Sequence, residues 1–142
     1  MAYSKSISPE QALQKARHYC GYQERCHQEV KEKLYGFGLH KNQVEQLLSQ
    51  LIEEDYLNEE RFAQQFAGGK FRMKNWGRNR IQNELGQRQV SEYCIKKAMK
   101  EIPEEDYRAS LAKIAAIKWE SLENYGRPEQ EKKTRDYLLY KG

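Results

Sequence analysis

The chain nearly repeats itself at an offset of 51 residues. The offset places six apolar positions on six others: Val30, Leu34, Leu39, Val44, Leu48 and Leu51 fall on Ile81, Leu85, Val90, Ile95, Met99 and Ile102. The tetrapeptide Glu53-Glu54-Asp55-Tyr56 also falls on Glu104-Glu105-Asp106-Tyr107. A fixed offset that preserves apolar positions predicts one supersecondary unit that is used at least twice.

Composition favours a solvent-rich helical module over a compact enzyme. Of the 142 residues, 38% are hydrophobic and 32% are charged, and only three are proline. The mean hydropathy is -1.06, so most side chains are expected to remain in water. The start of the chain is short and polar, and no apolar run reaches the length of a membrane span. We therefore expect a cytoplasmic protein without a signal peptide.

Capping residues and apolar periodicity predict eight helices. Ser8 and Pro9 mark a helix start, and Gly36 and Gly38 mark a helix end. The third helix is expected to bury its apolar positions, which are Val44, Leu47, Leu48, Leu51 and Ile52. The helices are expected at about 9–20, 26–35, 41–54, 58–74, 78–87, 92–102, 104–122 and from 128 to the last residues.

These helices predict an all-α fold of tandem three-helix repeats that form an elongated, curved molecule. We place the repeats at 1–56, 57–103 and 104–142, the last of which lacks its third helix. Without that helix, Tyr137, Leu138 and Trp119 are expected to have no apolar cover, and this end is expected to be the least stable.

Charge is concentrated in the middle repeat. Between residues 70 and 100 there are nine basic residues and two acids, in a chain whose net charge is +4, whereas residues 42–60 contain six acids and no base. A basic segment with an aromatic residue is typical of a surface that binds phosphates or an acidic protein groove. For a single lysine, an ordinary solvated face is the alternative. The candidate partner- or DNA-binding residues are Lys70, Arg72, Lys74, Arg78, Arg80, Arg88, Tyr93, Lys96, Lys97 and Lys100.

Catalytic and metal-binding patterns are not found in the sequence. The segment Gly68-Gly69-Lys70 lacks the remaining residues of a phosphate loop, and there is no serine-hydrolase or zinc-protease motif. Cys20, Cys26 and Cys94 form no close pair, so buried thiols are favoured over a zinc site that includes His27. We expect no enzyme activity, no cofactor and no metal.

Several short blocks resemble the RecX family of recombinase regulators. The blocks are Ala12-Leu13 with Ala16, Arg25-Cys26, Glu29-Val30, Lys33-Leu34, Tyr56-Leu57-Asn58, Arg61-Phe62-Ala63, Gly77, Arg80-Ile81, Glu84-Leu85 and Tyr137-Leu138 before Lys141-Gly142. The resemblance covers nearly the whole chain and implies tandem three-helix repeats. It also implies binding to the filament that a bacterial RecA-type recombinase forms on single-stranded DNA, with restraint of its ATPase, strand-exchange and coprotease activities. The resemblance implies neither binding to a membrane nor a small-molecule substrate.

A helix-turn-helix or Myb-like transcriptional regulator is the alternative. In such a protein Lys96, Lys97 and Lys100 would enter the major groove of DNA. Base readout favours Arg, Asn and Gln, whereas the exposed stripe that the sequence predicts is lysine and tyrosine. The sequence therefore favours the recombinase regulator.

Overall fold

The fold is all-helical, as the sequence predicts. The computed structural model describes residues 7–142, so Met1 to Ser6, on which the expectation of no signal peptide partly depends, lie outside it. Within residues 7–142 there is no β-strand. The helices are α1 (Pro9–Tyr22), α2 (His27–Gly36), α3 (Lys41–Glu53), α4 (Glu59–Lys74), α5 (Arg78–Gln87), α6 (Glu92–Lys100), α7 (Glu104–Ser121) and α8 (Arg127–Lys141).

Side-chain caps fix three of the helix starts. Ser8 and Gln11 form a reciprocal capping box at α1. The Asn58 side chain accepts a hydrogen bond from the Arg61 backbone N–H at 2.9 Å at the start of α4. The Ser91 hydroxyl accepts one from the Cys94 N–H at 3.3 Å at the start of α6. These bonds satisfy backbone donors that have no partner inside the helix.

The helices pack in consecutive groups. Helices α1, α2 and α3 contact one another, as do α4, α5 and α6, and α7 packs with α8. One apolar core lies in each of the first two groups, and the paired positions Val30 and Ile81, and Leu34 and Leu85, are fully buried in them. Cys26 lies at the start of α2 but packs into the second core. The tandem three-helix architecture is confirmed, while the division at 56/57 and 103/104 stays a prediction.

The identical tetrapeptides do not have the same structure. Glu53–Tyr56 forms the end of α3 and the turn after it, where Asp55 has a φ of 64°. Glu104–Tyr107 is instead the first turn of α7. The difference follows from Pro103, which stands where the first copy has Ile52 and occupies the extended N-cap position of α7. The tetrapeptide identity is therefore not part of the structural repeat.

Ile52 was expected in the core and is not there. Its side chain is 45% exposed, whereas Val44, Leu47, Leu48 and Leu51 are buried. Those four positions form one stripe on α3 that packs against α1 and α2. Ile52 lies one helical step, roughly 100°, beyond Leu51 and faces solvent.

The end of α8 docks on the second group. The Gly77 N–H donates to the Lys141 carbonyl oxygen at 2.6 Å, and the Lys141 ammonium donates to the Lys74 carbonyl oxygen at 3.0 Å. Phe71 stacks on Tyr107 with ring centroids 5.9 Å apart. Leu138 lies beside Gly77 and Tyr107 at the docked end of α8. Tyr137, Leu138 and Trp119 are each partly buried, so the expectation that they have no cover is wrong.

Candidate binding interface

Helix α6 presents a basic stripe to solvent. Tyr93 is 67% exposed, and Lys96 and Lys100 are also exposed, on the side opposite the buried Cys94 and Ala98. Within residues 7–142, no carboxylate forms an ion pair with either of these lysines. Both cations are therefore available to an anionic partner.

Lys97 is already paired within the chain. Its ammonium lies 2.5 Å from a carboxylate oxygen of Glu60 on α4. The hydrogen bond to Glu60 raises the pKa of Lys97 above its ordinary value. This side chain holds α6 against α4 and presents less free charge than its neighbours on the stripe.

The Arg78 side chain is also occupied by contacts within the chain. It forms an ion pair with Glu104 at the start of α7, and its guanidinium carbon lies 3.8 Å from the Tyr107 ring centroid. Hydrogen bonds from Arg78 and then Arg108 lower the pKa of Glu104. The Arg78 backbone N–H donates to the Tyr107 hydroxyl at 3.2 Å. These contacts connect α5 to α7.

Arg72 and Lys74, near the end of α4, are both exposed but make different contacts. The Arg72 guanidinium folds back over Gly68 and occupies the space that a Cβ atom would need there. Lys74 has no ion pair within residues 7–142, and its carbonyl oxygen accepts from Lys141.

Three candidate cations alternate with three aromatic rings. We call this set the aromatic–cation ladder; in spatial order it runs Arg88, Phe66, Lys70, Trp76, Arg80 and Tyr140. The Arg88 guanidinium carbon lies 4.8 Å from the Phe66 centroid, and the Lys70 ammonium lies 5.5 Å from Phe66 and 5.0 Å from Trp76. The Arg80 guanidinium carbon lies 4.2 Å from Trp76 and 4.9 Å from Tyr140. All five separations are within the range of cation–π attraction.

The ladder combines free charge with accessible rings. Arg88 forms an ion pair with Glu84 at 3.1 Å, but Lys70 and Arg80 have no carboxylate partner within the described part of the chain. Tyr140 is 66% exposed, while Trp76 and Phe66 are half-buried. Such a surface can bind anions and flat aromatic groups together.

Sequence reasoning found the cations of the ladder but missed its rings. Trp76 and Phe66 are close to the basic residues in sequence, and that proximity was the only available signal. No sequence signal indicated Tyr140, because it reaches Arg80 only through the docking of α8 on the start of α5.

Most carboxylates of the acidic segment at residues 42–60 bind partners within the chain. Glu54 binds Arg17 at 2.7 Å, and Asp55 binds Arg61 at 3.2 Å. Glu60 binds Lys97, and Glu59 accepts from the Ser91 N–H. Four of the six carboxylates in this segment therefore have partners within the chain.

The three thiols are buried in the apolar cores. Burial raises the pKa of Cys20, Cys26 and Cys94. Among residues 7–142, no group of three His, Cys, Asp or Glu side chains is arranged to hold a metal ion. In the same range no helix is both long and apolar enough to cross a membrane.

Tandem three-helix groups define this chain as a helical-repeat protein, and its second group carries a basic, aromatic-rich surface. Residues 58–99 match the family model for the second three-helix domain of RecX. The regulatory protein RecX of Vibrio parahaemolyticus is 31% identical over 115 residues, which cover 80% of this chain and 72% of that protein. The chain belongs to the RecX family of regulatory proteins.

Other relatives agree in sequence and in fold. The regulatory protein RecX of Chlorobium limicola is 30% identical over 109 residues, which cover 75% of this chain and 64% of that protein. The chain thus spans less than two thirds of that relative, and about half of some others. The crystal structure of RecX from Lactobacillus salivarius superposes with a TM-score of 0.86 at 19% identity, covering 94% of this chain and 87% of that one.

Proposed function

We propose that this chain regulates a bacterial RecA-type recombinase in the cytoplasm. It binds the filament on single-stranded DNA and restrains the ATPase, strand-exchange and coprotease activities, acting through binding and not through catalysis. Membership of the RecX family is the observation that carries the proposal, because relatives across several bacteria are named regulatory proteins.

The repeated helical groups suit a long filament. Each of the first two groups has its own core and can offer its own contact, so several weak contacts along neighbouring recombinase subunits add through effective concentration. The stripe on α6, with Tyr93, Lys96 and Lys100, would contact acidic recombinase surface or DNA phosphates. Binding across subunits would oppose the motions that ATP hydrolysis and strand exchange require.

The decisive experiment is a titration of DNA-stimulated ATP hydrolysis by the recombinase of the same organism. We expect inhibition that saturates. Inhibition far below one chain per recombinase would indicate that filament ends are capped, and inhibition near equivalence would indicate that the groove is coated. No inhibition at any ratio would overturn the proposal.

Charge reversal tests the stripe. The Lys96→Glu/Lys100→Glu variant should inhibit at least about tenfold less well at low salt, and the difference should shrink as salt screens the contacts. A Lys31→Glu/Lys113→Glu variant makes the same charge change at exposed lysines of α2 and α7 and is expected to inhibit like the parent. Equal loss in both variants would mean that net charge, and not the stripe, determines binding.

Sequence-specific duplex DNA binding is the second candidate function. The observation that favours it is the exposure of Tyr93, Lys96 and Lys100 on the last helix of a three-helix group. A selection from random duplex DNA distinguishes the two functions. An enriched duplex motif together with unchanged recombinase activity would favour the DNA reader.

A further inference from the structure

We propose that a groove on the first helical group binds a short acidic peptide segment of a partner protein. The groove lies between α1 and α2 and has a volume of about 460 Å³; we call it the α1–α2 groove. Three cations and three aromatic rings line it, namely Lys15, Arg25, Lys33, Tyr19, Tyr22 and Phe37. The inference goes beyond the proposed function, because it assigns a peptide ligand to a surface for which that function names no contact.

The groove is basic although its part of the chain is acidic. Residues 7–56 contain six Lys and Arg and eight Asp and Glu, so their net charge is negative. Three of these six cations line the α1–α2 groove, and no carboxylate is among the lining residues that the structure describes. Arg25 lies 3.5 Å from a carboxylate oxygen of Glu29, but Lys15 and Lys33 form no ion pair within residues 7–142. The two lysines are therefore free to bind carboxylates of a partner.

Aromatic rings line the groove beside its cations. The Lys33 ammonium lies 5.1 Å from the Tyr19 centroid and 5.8 Å from the Phe37 centroid. The Arg25 Nε donates to the Tyr19 carbonyl oxygen at 3.1 Å, which fixes the guanidinium against the Tyr19 ring. Tyr22 is 78% exposed, while Tyr19 and Phe37 are half-buried. This combination of apolar surface and positive charge fits a peptide that carries an apolar side chain between carboxylates.

The dimensions of the groove suit a short segment. Its volume is within the roughly 300–1,000 Å³ of ordinary ligand pockets. Lys15 and Tyr22 lie about two turns apart on α1, roughly 10 Å along the helix axis. An extended peptide covers that distance with about three residues. One apolar side chain and its neighbouring carboxylates therefore fill the groove.

The state of the rings favours an acidic peptide over a nucleic acid. A base stacks only on an open ring face, and a strand needs a positive track along several phosphates. The Arg25 guanidinium carbon lies 3.8 Å from the Tyr19 centroid, and Lys33 is close to both Tyr19 and Phe37, so these two rings already have cations against them. A peptide needs no open ring face, because its carboxylates bind the cations and its apolar side chain packs beside the rings.

The test uses the full chain and a defined peptide, without recombinase. The probe is a fluorescently labelled peptide of glutamates around one central leucine, and anisotropy measures its affinity. We expect saturable binding that weakens as salt is added. A peptide with lysines in place of the glutamates should not bind, and one with serine in place of the leucine should bind more weakly. Two-dimensional NMR locates the site: backbone amides of α1 and α2 should shift, and those of α6 should not.

Two variants separate charge from apolar contact. Lys15→Glu/Lys33→Glu should weaken binding at least about tenfold at low salt, because it replaces two attractions with repulsions. Lys31→Glu/Lys41→Glu is the matched control, since it makes the same charge change at exposed lysines of the same group that do not line the groove. Tyr22→Ala should weaken binding by about 5- to 30-fold, as truncation of a large interface side chain does. All the substituted side chains are exposed, so the circular dichroism should stay unchanged.

Four results would overturn the inference. The first is no binding of the glutamate peptide at low salt. The second is equal weakening in Lys15→Glu/Lys33→Glu and its control, which would mean that net charge alone attracts the peptide. The third is a set of NMR shifts confined to α4, α5 and α6. The fourth is an oligothymidylate that shifts the same amides of α1 and α2 at lower concentration than the peptide. The recombinase is absent from every measurement, so this inference and the proposed function can fail separately.

Discussion

At the scale of single residues, Glu59 connects three helix starts. It is the first residue of α4, and its Oε1 accepts from the Ser91 N–H at the start of α6 at 3.0 Å. Its Oε2 lies 3.8 Å from the Nδ1 of His27 at the start of α2. Partial burial raises its pKa, but hydrogen bonds from Ser91 and Cys94 and the nearby His27 outweigh that effect, so the pKa lies below its ordinary value of 4.5.

The lowered pKa of Glu59 predicts a pH-dependent stability. The unfolded chain binds the proton at a higher pH than the folded chain, so the stabilisation is present above about pH 4.5 and is lost as the pH falls below it. Glu59→Gln should lower the free energy of unfolding by about 1 kcal/mol at pH 7, as loss of a charged hydrogen-bond acceptor does. The difference from the parent should shrink toward pH 3.5 in urea titrations.

Glu32→Gln is the control for Glu59→Gln. Glu32 is exposed on α2 and has no ion pair among the described residues, so the substitution should change stability little at either pH. A difference between Glu59→Gln and the parent that stayed constant from pH 7 to pH 3.5 would contradict the role given to the carboxylate.

At the scale of the helices, the buried face of each repeat carries the stability. Leu34 on α2 and Leu85 on α5 are equivalent positions and are both fully buried. Leu34→Ala and Leu85→Ala should each lower the free energy of unfolding by about 2–5 kcal/mol. Ile52→Ala on α3, at a 45% exposed position, should cost roughly 0.5 kcal/mol or less. Chemical denaturation of the three variants tests this order, and a cost at Ile52 as large as at Leu85 would refute it.

Periodicity and caps were sufficient to predict the helices. Ser8, Asn58 and Ser91 each satisfy a backbone donor at a helix start, and such local signals act within about four residues. Pro103 explains why the two identical tetrapeptides differ in structure, because it places the second copy at the start of α7. Apolar spacing also predicts burial of Ile52, although the narrower stripe from Val44 to Leu51 is sufficient for packing on two helices.

The interface could be predicted only in part. A count of charges identified Lys70, Arg80 and Arg88, because the density of basic residues is visible in the sequence. It could not show that Arg78 is occupied by Glu104, 26 residues away, or that Tyr140 completes the ladder. Both contacts depend on how α7 and α8 dock, and no local pattern encodes that docking.

At the scale of the whole molecule, the third helical pair has little core of its own. Helix α7 has no buried residue, and α8 buries only Gln130 and Thr134, whereas α3 buries four apolar side chains. The pair is attached to the second group by the Arg78–Glu104 ion pair, by the Phe71–Tyr107 stack and by the close approach of Gly77 to the end of α8. A Cβ atom at Gly77 would overlap the Gly142 backbone and lie 3.0 Å from the Tyr107 hydroxyl.

Gly77→Ala should therefore loosen the third pair while the first two groups remain folded. Gly77 has a φ of -83°, which alanine also adopts, so the clash and not backbone strain would cause the effect. Hydrogen exchange should already be faster in α8 than in α3 in the parent, and Gly77→Ala should further accelerate exchange only in α7 and α8.

Gly86→Ala is the control, because nothing lies near a Cβ atom there and alanine favours a helix. Unchanged protection of residues 127–141 in Gly77→Ala would show that the pair is held by contacts other than this backbone approach.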